Sequence, residues 1–125
     1  MNIPQNLFYT KDHEWIKIEG NIGIIGITDF AQGELGDVVY VDINPDITEI
    51  TMDHSFGTIE AVKTVSDLYA PVSGKIIELN KRLNGEPQLV KSDPYGEGWL
   101  IKIEIFDPAQ SKELLNSVSY STLLG

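Results

Sequence analysis

The feature that most constrains this fold is a succession of short apolar runs, each closed by turn residues within a few positions. The run Trp15 to Ile18 leads into Gly20-Asn21, and isoleucines resume directly afterwards. A Gly-Asn pair between such runs is typical of a two-residue β-hairpin turn. From Trp99 to Ile105, every second residue is a large apolar one, the pattern of a half-buried strand. Many short strands with close turns predict a mainly β fold, either a sandwich or a flattened barrel with helical pieces.

Other segments supply the remaining elements of this class. Gly36 is placed to end a short helix, and Asp107-Pro108 supplies an N-cap and a first-turn proline for a helix near the C-terminus. Val39, Val41 and Ile43 are expected to share one strand face. We predict a short helix over 30–35, strands over 37–43, 56–62 and 74–79, and a C-terminal helix over about 108–116.

The length and cysteine content limit the class of protein. A chain of 125 residues is long enough for one hydrophobic core, so we expect a single domain over 1–125. There is no cysteine, which removes disulfides, thiol nucleophiles and thiolate metal sites. No apolar stretch approaches the length of a membrane span, and the first ten residues lack the pattern of a signal peptide. We therefore expect a cytoplasmic protein without a membrane partner.

The charge of the chain is strongly negative. Nine lysines and arginines stand against nineteen aspartates and glutamates, giving a formal charge of −10. Such a chain repels phosphate backbones, so nucleic acid is not an expected partner. Most of the acids are expected to be solvated surface residues, and a share is expected to meet basic patches on partner proteins.

Motifs for hydrolytic, metal or nucleotide chemistry are not found. The two histidines, His13 and His54, lie outside any metal-ligand spacing, and the chain has no Gly-x-Ser-x-Gly nucleophile turn. His13 beside Glu14 has no third ligand in sequence and is better interpreted as a structural or surface histidine. We therefore predict neither a catalytic residue nor a metal site.

Lys63 is the residue that stands out as a site of modification. It interrupts two apolar runs and is predicted to lie at or near the tip of a hairpin. Glu60 and Asp67 flank it, and nearby carboxylates favour the charged ammonium over the free amine that a catalytic lysine needs. Lys63 is thus better suited as a handle for a modifying enzyme, with Glu60 and Asp67 as candidates for recognition by that enzyme. An ordinary exposed lysine is the alternative.

Motifs along nearly the whole chain resemble those of the H-protein family of the glycine cleavage system. The segment around Lys63 is similar to that family's lipoylation hairpin, and further segments follow in the family's order. The matching segments are His13-Glu14-Trp15, Gly26-Ile27-Thr28-Asp29-Phe30-Ala31-Gln32, Leu35-Gly36-Asp37-Val38-Val39, Glu60-Ala61-Val62-Lys63, Ser66-Asp67-Leu68-Tyr69-Ala70-Pro71-Val72-Ser73-Gly74 and Ser92-Asp93-Pro94-Tyr95-Gly96-Glu97-Gly98-Trp99.

The resemblance implies a fold and a function. The fold would be a lipoyl/biotinyl-domain-like sandwich of two small antiparallel sheets, with the lipoylation hairpin at about 56–74. Lys63 would carry lipoic acid in amide linkage and shuttle the aminomethyl group of glycine. The implied partners are glycine decarboxylase (P protein), aminomethyltransferase (T protein), dihydrolipoyl dehydrogenase (L protein), and a lipoate ligase or lipoyl/octanoyl transferase. Glu14 and Asp67 match positions near the family's cargo cleft; alternatively, Glu14 is a surface residue beside the hairpin. We expect a monomer that leaves catalysis to its partners.

The chain departs from the family's pattern at three points. Ala61 stands where serine is common, Ile47 where a turn glycine is frequent, and Lys91 where asparagine is usual.

Three other roles are alternatives to the glycine shuttle. The first alternative is a relay that passes lipoyl or octanoyl groups to other lipoyl domains. A biotin carrier is disfavoured because Val62 and Thr64, rather than methionines, flank the lysine. The last is a structural module with an unmodified lysine.

Overall fold

The computed structural model describes residues 2–125, except for the side chain of Gln32. Within these residues, nine strands and three α-helices follow one another, with 3₁₀ helices at Lys81–Asn84 and Pro108–Glu113. The strands are β1 (Phe8–Tyr9), β2 (Glu14–Glu19), β3 (Ile22–Ile27), β4 (Val38–Asp42), β5 (Glu49–Ile50), β6 (Ser55–Ala61), β7 (Val65–Tyr69), β8 (Gly74–Leu79) and β9 (Ile101–Ile105), and the helices are α1 (Asp29–Leu35), α2 (Leu89–Ser92) and α3 (Ser117–Leu124).

The strands form two antiparallel sheets. The larger sheet has the order β1-β2-β3-β9-β8-β5, and the smaller has the order β4-β6-β7. Among the described residues neither sheet closes on itself, so the fold is a sandwich and not a barrel. The prediction of a mainly β fold with two antiparallel sheets and short helices is confirmed. Within residues 2–125, none of the helices has the length and apolar character needed to cross a membrane.

The apolar alternation seen in sequence places the main core between the sheets. Ile101, Ile103 and Ile105 of β9 are buried, while Glu104 is exposed. They pack in one cluster with buried residues of both sheets, including Ile59 of β6. The hairpin at Gly20-Asn21 joins β2 to β3 as predicted, with Gly20 at a φ of 63°. The left-handed backbone there suits a residue without a Cβ.

The predicted faces of β4 are wrong in part. Val38 and Val41 are buried, but Val39 is 51% exposed instead of sharing a face with Val41. The reason is a β-bulge between Val38 and Tyr40, which shifts the register against β6. A bulge inserts one extra residue and breaks the period of two on which the prediction rests.

The predicted C-terminal helix over about 108–116 begins where expected but does not continue to 116. The segment is a 3₁₀ helix over Pro108–Glu113, with the Asp107 carboxylate accepting from the Ala109 N–H at 3.0 Å. Leu115 then exchanges two backbone hydrogen bonds of 2.8 Å with Tyr9, which requires extended backbone. Asn116 caps a separate helix, α3, by accepting from the Ser119 N–H.

Candidate functional site

Lys63 lies at the tip of the hairpin formed by β6 and β7. Glu60 pairs with Val65 across the two strands, and the Ala61 N–H donates to the Thr64 carbonyl at 2.9 Å. Val62 and Lys63 are left at the turn, and both side chains are exposed. Ala61 is itself buried, so the small residue at this departure from the family pattern fits the inner face of the turn. The sequence prediction of a lysine on a protruding turn agrees with this geometry.

The hairpin tip is fixed to the neighbouring strand entrance. The Val62 N–H donates to the Asp37 carbonyl at 2.9 Å, and the Asp37 carboxylate accepts from the Lys91 ammonium at 2.7 Å. The hydrogen bond from Lys91 lowers the pKa of Asp37. Both side chains are largely in solvent, so the pair adds little stability. Lys91, which stands where the family usually has asparagine, thus contacts Asp37, the residue whose carbonyl group accepts a hydrogen bond from the hairpin.

The methylene chain of Lys63 lies over Gly36. A Cβ built on Gly36 would stand 3.3 Å from Cε of Lys63 and 3.5 Å from its Cδ. Gly36 also has a φ of 77°, where glycine is at no disadvantage. In the described part of the chain, Lys63 takes part in no salt bridge. Its amine is therefore presented without an acidic partner, and neither Glu60 nor Asp67 pairs with it.

Glu60 and Asp67 are exposed on the strands that carry the turn. Glu60 lies between Tyr40 of β4 and Val65 of β7 in the strand register. Asp67 of β7 lies opposite Thr58 of β6. Its carboxylate accepts two long hydrogen bonds, from the Ser55 hydroxyl at 3.4 Å and from the Tyr69 hydroxyl at 3.5 Å. Both carboxylates are therefore accessible to a partner.

Glu14 lies in the interior and not on the surface. It opens β2 and is 2% exposed, so the alternative of a surface residue is wrong. The Thr10 hydroxyl donates to its Oε1 at 2.6 Å, and the Tyr69 N–H donates to its Oε2 at 3.4 Å. Burial raises the pKa of the Glu14 carboxyl to about 8. At neutral pH the group is mostly uncharged, and a cation placed beside it would favour its ionised form.

Glu14 and Asp67 both line a small pocket. Its volume is about 100 Å³, and its walls come from β2, α1, β6 and β7. Leu35, at the end of α1, lines this pocket and directly precedes Gly36, on which the Lys63 side chain lies. The carboxylates in the lining are Asp12, Glu14, Glu34 and Asp67. A group attached to Lys63 has an acidic pocket close to the base of its arm.

A larger cleft adjoins Glu14 and has no counterpart in the sequence predictions. Its volume is about 610 Å³, and Asp12 and Glu14 line both this cleft and the small pocket. Its remaining walls come from the segments around Tyr9, Met52, Ala70 and Leu115. Glu14 therefore lies between the larger cleft and the small pocket.

A hydrogen-bond network behind Glu14 is also missed by the sequence patterns. The Tyr120 hydroxyl of α3 lies 2.8 Å from Nδ1 of His13 and 2.8 Å from the Thr28 hydroxyl. The Thr28 N–H donates to the His13 carbonyl at 2.9 Å, and His13 has a φ of 69°, which is uncommon outside glycine. His13 serves this packing; the described residues contain no group of three or more potential metal ligands. No local signal links positions 107 residues apart.

The turn at Ile47 does not need the family's glycine. The Asn44 side chain accepts from the Asp46 N–H at 2.9 Å, and the Ile47 N–H donates to the Asn44 carbonyl. Among the described residues, positive φ outside glycine occurs only at His13 and Asp53, so Ile47 is not strained. The isoleucine instead packs against the main core.

Comparison with known proteins identifies the family. The model of the glycine cleavage H-protein family matches residues 7–125. The chain belongs to that family. An H protein of Symbiobacterium thermophilum is 52% identical over 119 residues, covering 95% of this chain and 93% of the relative. One from Carboxydothermus hydrogenoformans is 54% identical over 122 residues, covering 98% and 94%.

The solved structures agree with the sequence comparison. The crystal structure of a glycine cleavage system H protein from Mycobacterium marinum matches with a TM-score of 0.88 and 38% identity, covering 98% of this chain and 99% of that one. The H-protein family is the lipoyl carrier of the glycine cleavage system, and this confirms the predicted function. The relay of lipoyl groups to other domains is not favoured.

Proposed function

We propose that Lys63 is the lipoylated residue and that the chain, as a single domain over 1–125, is a non-catalytic carrier. The observation that supports this best is the exposed Lys63 amine, free of salt bridges within residues 2–125, on a turn whose backbone is fixed by Ala61–Thr64 and Val62–Asp37 hydrogen bonds. A fixed backbone with a free amine suits an enzyme that must find one lysine among several. The residues present therefore fit a lipoyl group.

Attachment requires only the amine of Lys63 and an activated acyl donor. The deprotonated Nζ attacks the carboxyl carbon of lipoyl adenylate. The C–N amide bond forms as the bond from that carbon to the phosphate oxygen breaks, AMP leaves, and a proton is lost from nitrogen. The product has no charge at Nζ, and the chain becomes more negative by one unit.

The carrier role follows from a tether combined with partner catalysis. A lipoyl group on Lys63 would supply a disulfide, which is the oxidant needed when glycine loses its carboxyl carbon as CO₂ and its aminomethyl carbon passes to sulfur as the S–S bond breaks. We propose that the P, T and L proteins perform the chemistry in turn, in the cytoplasm, with this chain as a monomer. A tether raises the local concentration of the cargo at each partner, which explains a chain without its own acid–base machinery.

Glu14 and Asp67 are the proposed contacts for the amine end of the cargo. Both residues line the small pocket, and an ammonium placed beside the Glu14 carboxyl group would lower its raised pKa. Ile27, Ile59 and Leu68, which are buried, supply part of the apolar lining of this pocket.

The decisive test is intact mass before and after incubation with lipoate ligase, lipoate and ATP. We expect one lipoyl-sized gain in the wild type and in Lys75→Ala, a control at another exposed lysine on a strand. Lys63→Ala should show none. A gain in Lys63→Ala would overturn the assignment of the site. The lipoylated wild type should then support exchange of bicarbonate with the glycine carboxyl group in the presence of P protein; failure there would revive the relay function.

A further inference from the structure

The outer face of the three-stranded sheet carries two aligned rows of side chains. Tyr40, Glu60 and Val65 are direct partners across β4, β6 and β7, and Asp42, Thr58 and Asp67 form the next row of partners. Directly paired residues of neighbouring strands project from the same face of a sheet. We call the surface formed by Tyr40, Asp42, Glu60, Val65 and Asp67 the Tyr40 face.

The composition of the Tyr40 face is that of a docking surface. Tyr40 is 47% exposed and Val65 is 60% exposed, and the bulge in β4 turns Val39 outward beside them. Three exposed carboxylates lie among these apolar side chains: Glu60 stands between Tyr40 and Val65 in its row, and Asp42 and Asp67 lie in the next row. Exposed apolar side chains grouped in this way, instead of scattered singly, are typical of an interaction surface.

The position of the face relative to Lys63 selects the occupant. Val65 opens β7 two residues after Lys63, so the Cα atoms of the two residues lie at most about 7 Å apart. The Lys63 amine stands at the end of only four methylene groups, so an enzyme that acylates it must contact the hairpin itself. The opposite side of the hairpin is buried at Ile59 and Ala61. The outer face is therefore the broad surface from which such an enzyme can approach.

We propose that the Tyr40 face is the docking surface for the enzyme that acylates Lys63. This enzyme would offer apolar contacts to Tyr40 and Val65, and basic side chains, which we call the basic rim, opposite Asp42, Glu60 and Asp67. This rests on the proposed function of Lys63. A second copy of this chain is a poor occupant because its net charge of −10 would oppose the three carboxylates. The enzymes that act after acylation meet a much longer arm, and they need not cover the same rows.

The test measures kcat/KM of lipoate ligase with substrate variants, by intact mass over time. Tyr40→Ser and Val65→Ser should each lower kcat/KM about tenfold, and the double variant about 30-fold or more, the effect of an interface hot spot. Ile77→Ser and Phe106→Ser are the matched controls, since they remove similarly exposed apolar side chains from other faces. Values for the Tyr40 face variants within twofold of these controls would overturn the proposal.

A charge series tests the rim independently of apolar contacts. The kcat/KM of the wild type should fall as NaCl is raised, because screening weakens attraction between an acidic face and a basic rim. Glu60→Lys and Asp67→Lys should each lower kcat/KM and flatten this salt dependence, whereas Glu104→Lys on β9 should do neither. An equal effect of all three would assign the dependence to net charge and contradict a local rim.

Two further readouts separate this proposal from its foundations. If the wild type gains no lipoyl group, the function of Lys63 fails; if it is modified and the Tyr40 variants are modified equally fast, only the docking surface fails. Circular dichroism on heating should show each variant folded. Tyr40→Ser and Val65→Ser, whose residues lie outside the proposed cargo contacts, should once fully loaded support glycine decarboxylation at the wild-type rate. Loss of decarboxylation with normal acylation would give the face to a later partner and overturn the assignment.

Discussion

The Lys63 hairpin and the residues around Glu14 are built in opposite ways. We call the latter the Glu14 wall, which consists of Glu14 and its neighbour His13 with the residues that hydrogen-bond them: Thr10, Thr28, Tyr69 and Tyr120. The hairpin is local in sequence and exposed, and Lys63 has no salt bridge in the described chain. Glu14 is buried and held by Thr10 and Tyr69, and its neighbour His13 is held by Tyr120 and Thr28. The Lys63 side chain, which partners must reach, therefore forms no salt bridge in the described chain. The Glu14 carboxyl group, which is proposed to contact the cargo, is instead fixed by burial and hydrogen bonds.

The largest effect that would test this contrast is the pH dependence of stability at Glu14. The pKa of the folded Glu14 carboxyl, about 8, lies above its ordinary value of 4.5, so the folded state binds more protons between these two pH values. Stability therefore falls as pH rises through that window, by roughly 1 kcal/mol per pH unit. Glu14→Gln should remove this slope and be the more stable protein at pH 8, as measured by urea unfolding at pH 5 to 8.

A control for this prediction is Glu104→Gln, which neutralises an exposed carboxylate on β9. Its unfolding free energy should follow the wild-type pH dependence. If the Glu14→Gln and wild-type curves were parallel, Glu14 would titrate as a solvated carboxylate, and the contrast between the two regions would be lost.

The next effect concerns the hydroxyl group that connects α3 to the Glu14 wall. Tyr120→Phe leaves the His13 ring and the buried Thr28 hydroxyl without a shared partner, which should cost about 1–3 kcal/mol. Tyr9→Phe is the matched control: its ring stacks on Tyr120 at 4.7 Å, but its hydroxyl donates only to the Pro4 carbonyl.

Tyr9→Phe should therefore cost less, about 1 kcal/mol, by the same urea measurement. Equal effects of the two substitutions would show that packing, and not the hydroxyl network, holds the wall.

The same contrast explains what sequence could and could not predict. The hairpin was predictable because its strands, turn and lysine are contiguous, and strand alternation also located β9. The faces of β4 failed because a bulge between Val38 and Tyr40 is set by pairing with β6, not by the local pattern. The end of the C-terminal helix failed because Leu115 pairs with Tyr9 at the far end of the chain.

The Glu14 wall was only half predictable. The family resemblance pointed to Glu14 and Asp67 as cargo contacts, but burial of Glu14 depends on β7 and on the Thr10 hydroxyl, which no periodicity reveals. Tyr120 lies 107 residues from His13 in sequence. The apolar residues of α3 are not concentrated on one face of the helix, so no sequence pattern marks Tyr120 as a buried residue. Contacts of this range follow from the packed fold alone.

A smaller effect is expected at Gly36, where the hairpin rests on the chain leading from α1 to β4. Gly36→Ala forces a Cβ onto a backbone with a φ of 77° and against the Lys63 methylenes, so we expect a loss of about 1 kcal/mol. Gly33→Ala, in open space within α1, should not destabilise the protein. A loss of several kcal/mol at Gly36, measured by urea unfolding, would mean that the hairpin base is as tightly built as the Glu14 wall.

The smallest effect, and the most direct test of the contrast, is expected at Lys63 itself. Lys63→Ala removes an exposed side chain that forms no salt bridge within residues 2–125, so its unfolding free energy should stay within about 0.5 kcal/mol of the wild type. The same substitution should abolish lipoylation completely. Urea unfolding and intact mass on one preparation measure both. A change of more than about 1 kcal/mol in the unfolding free energy would show that the Lys63 side chain stabilises the fold. The contrast between the Lys63 hairpin and the Glu14 wall would then be lost.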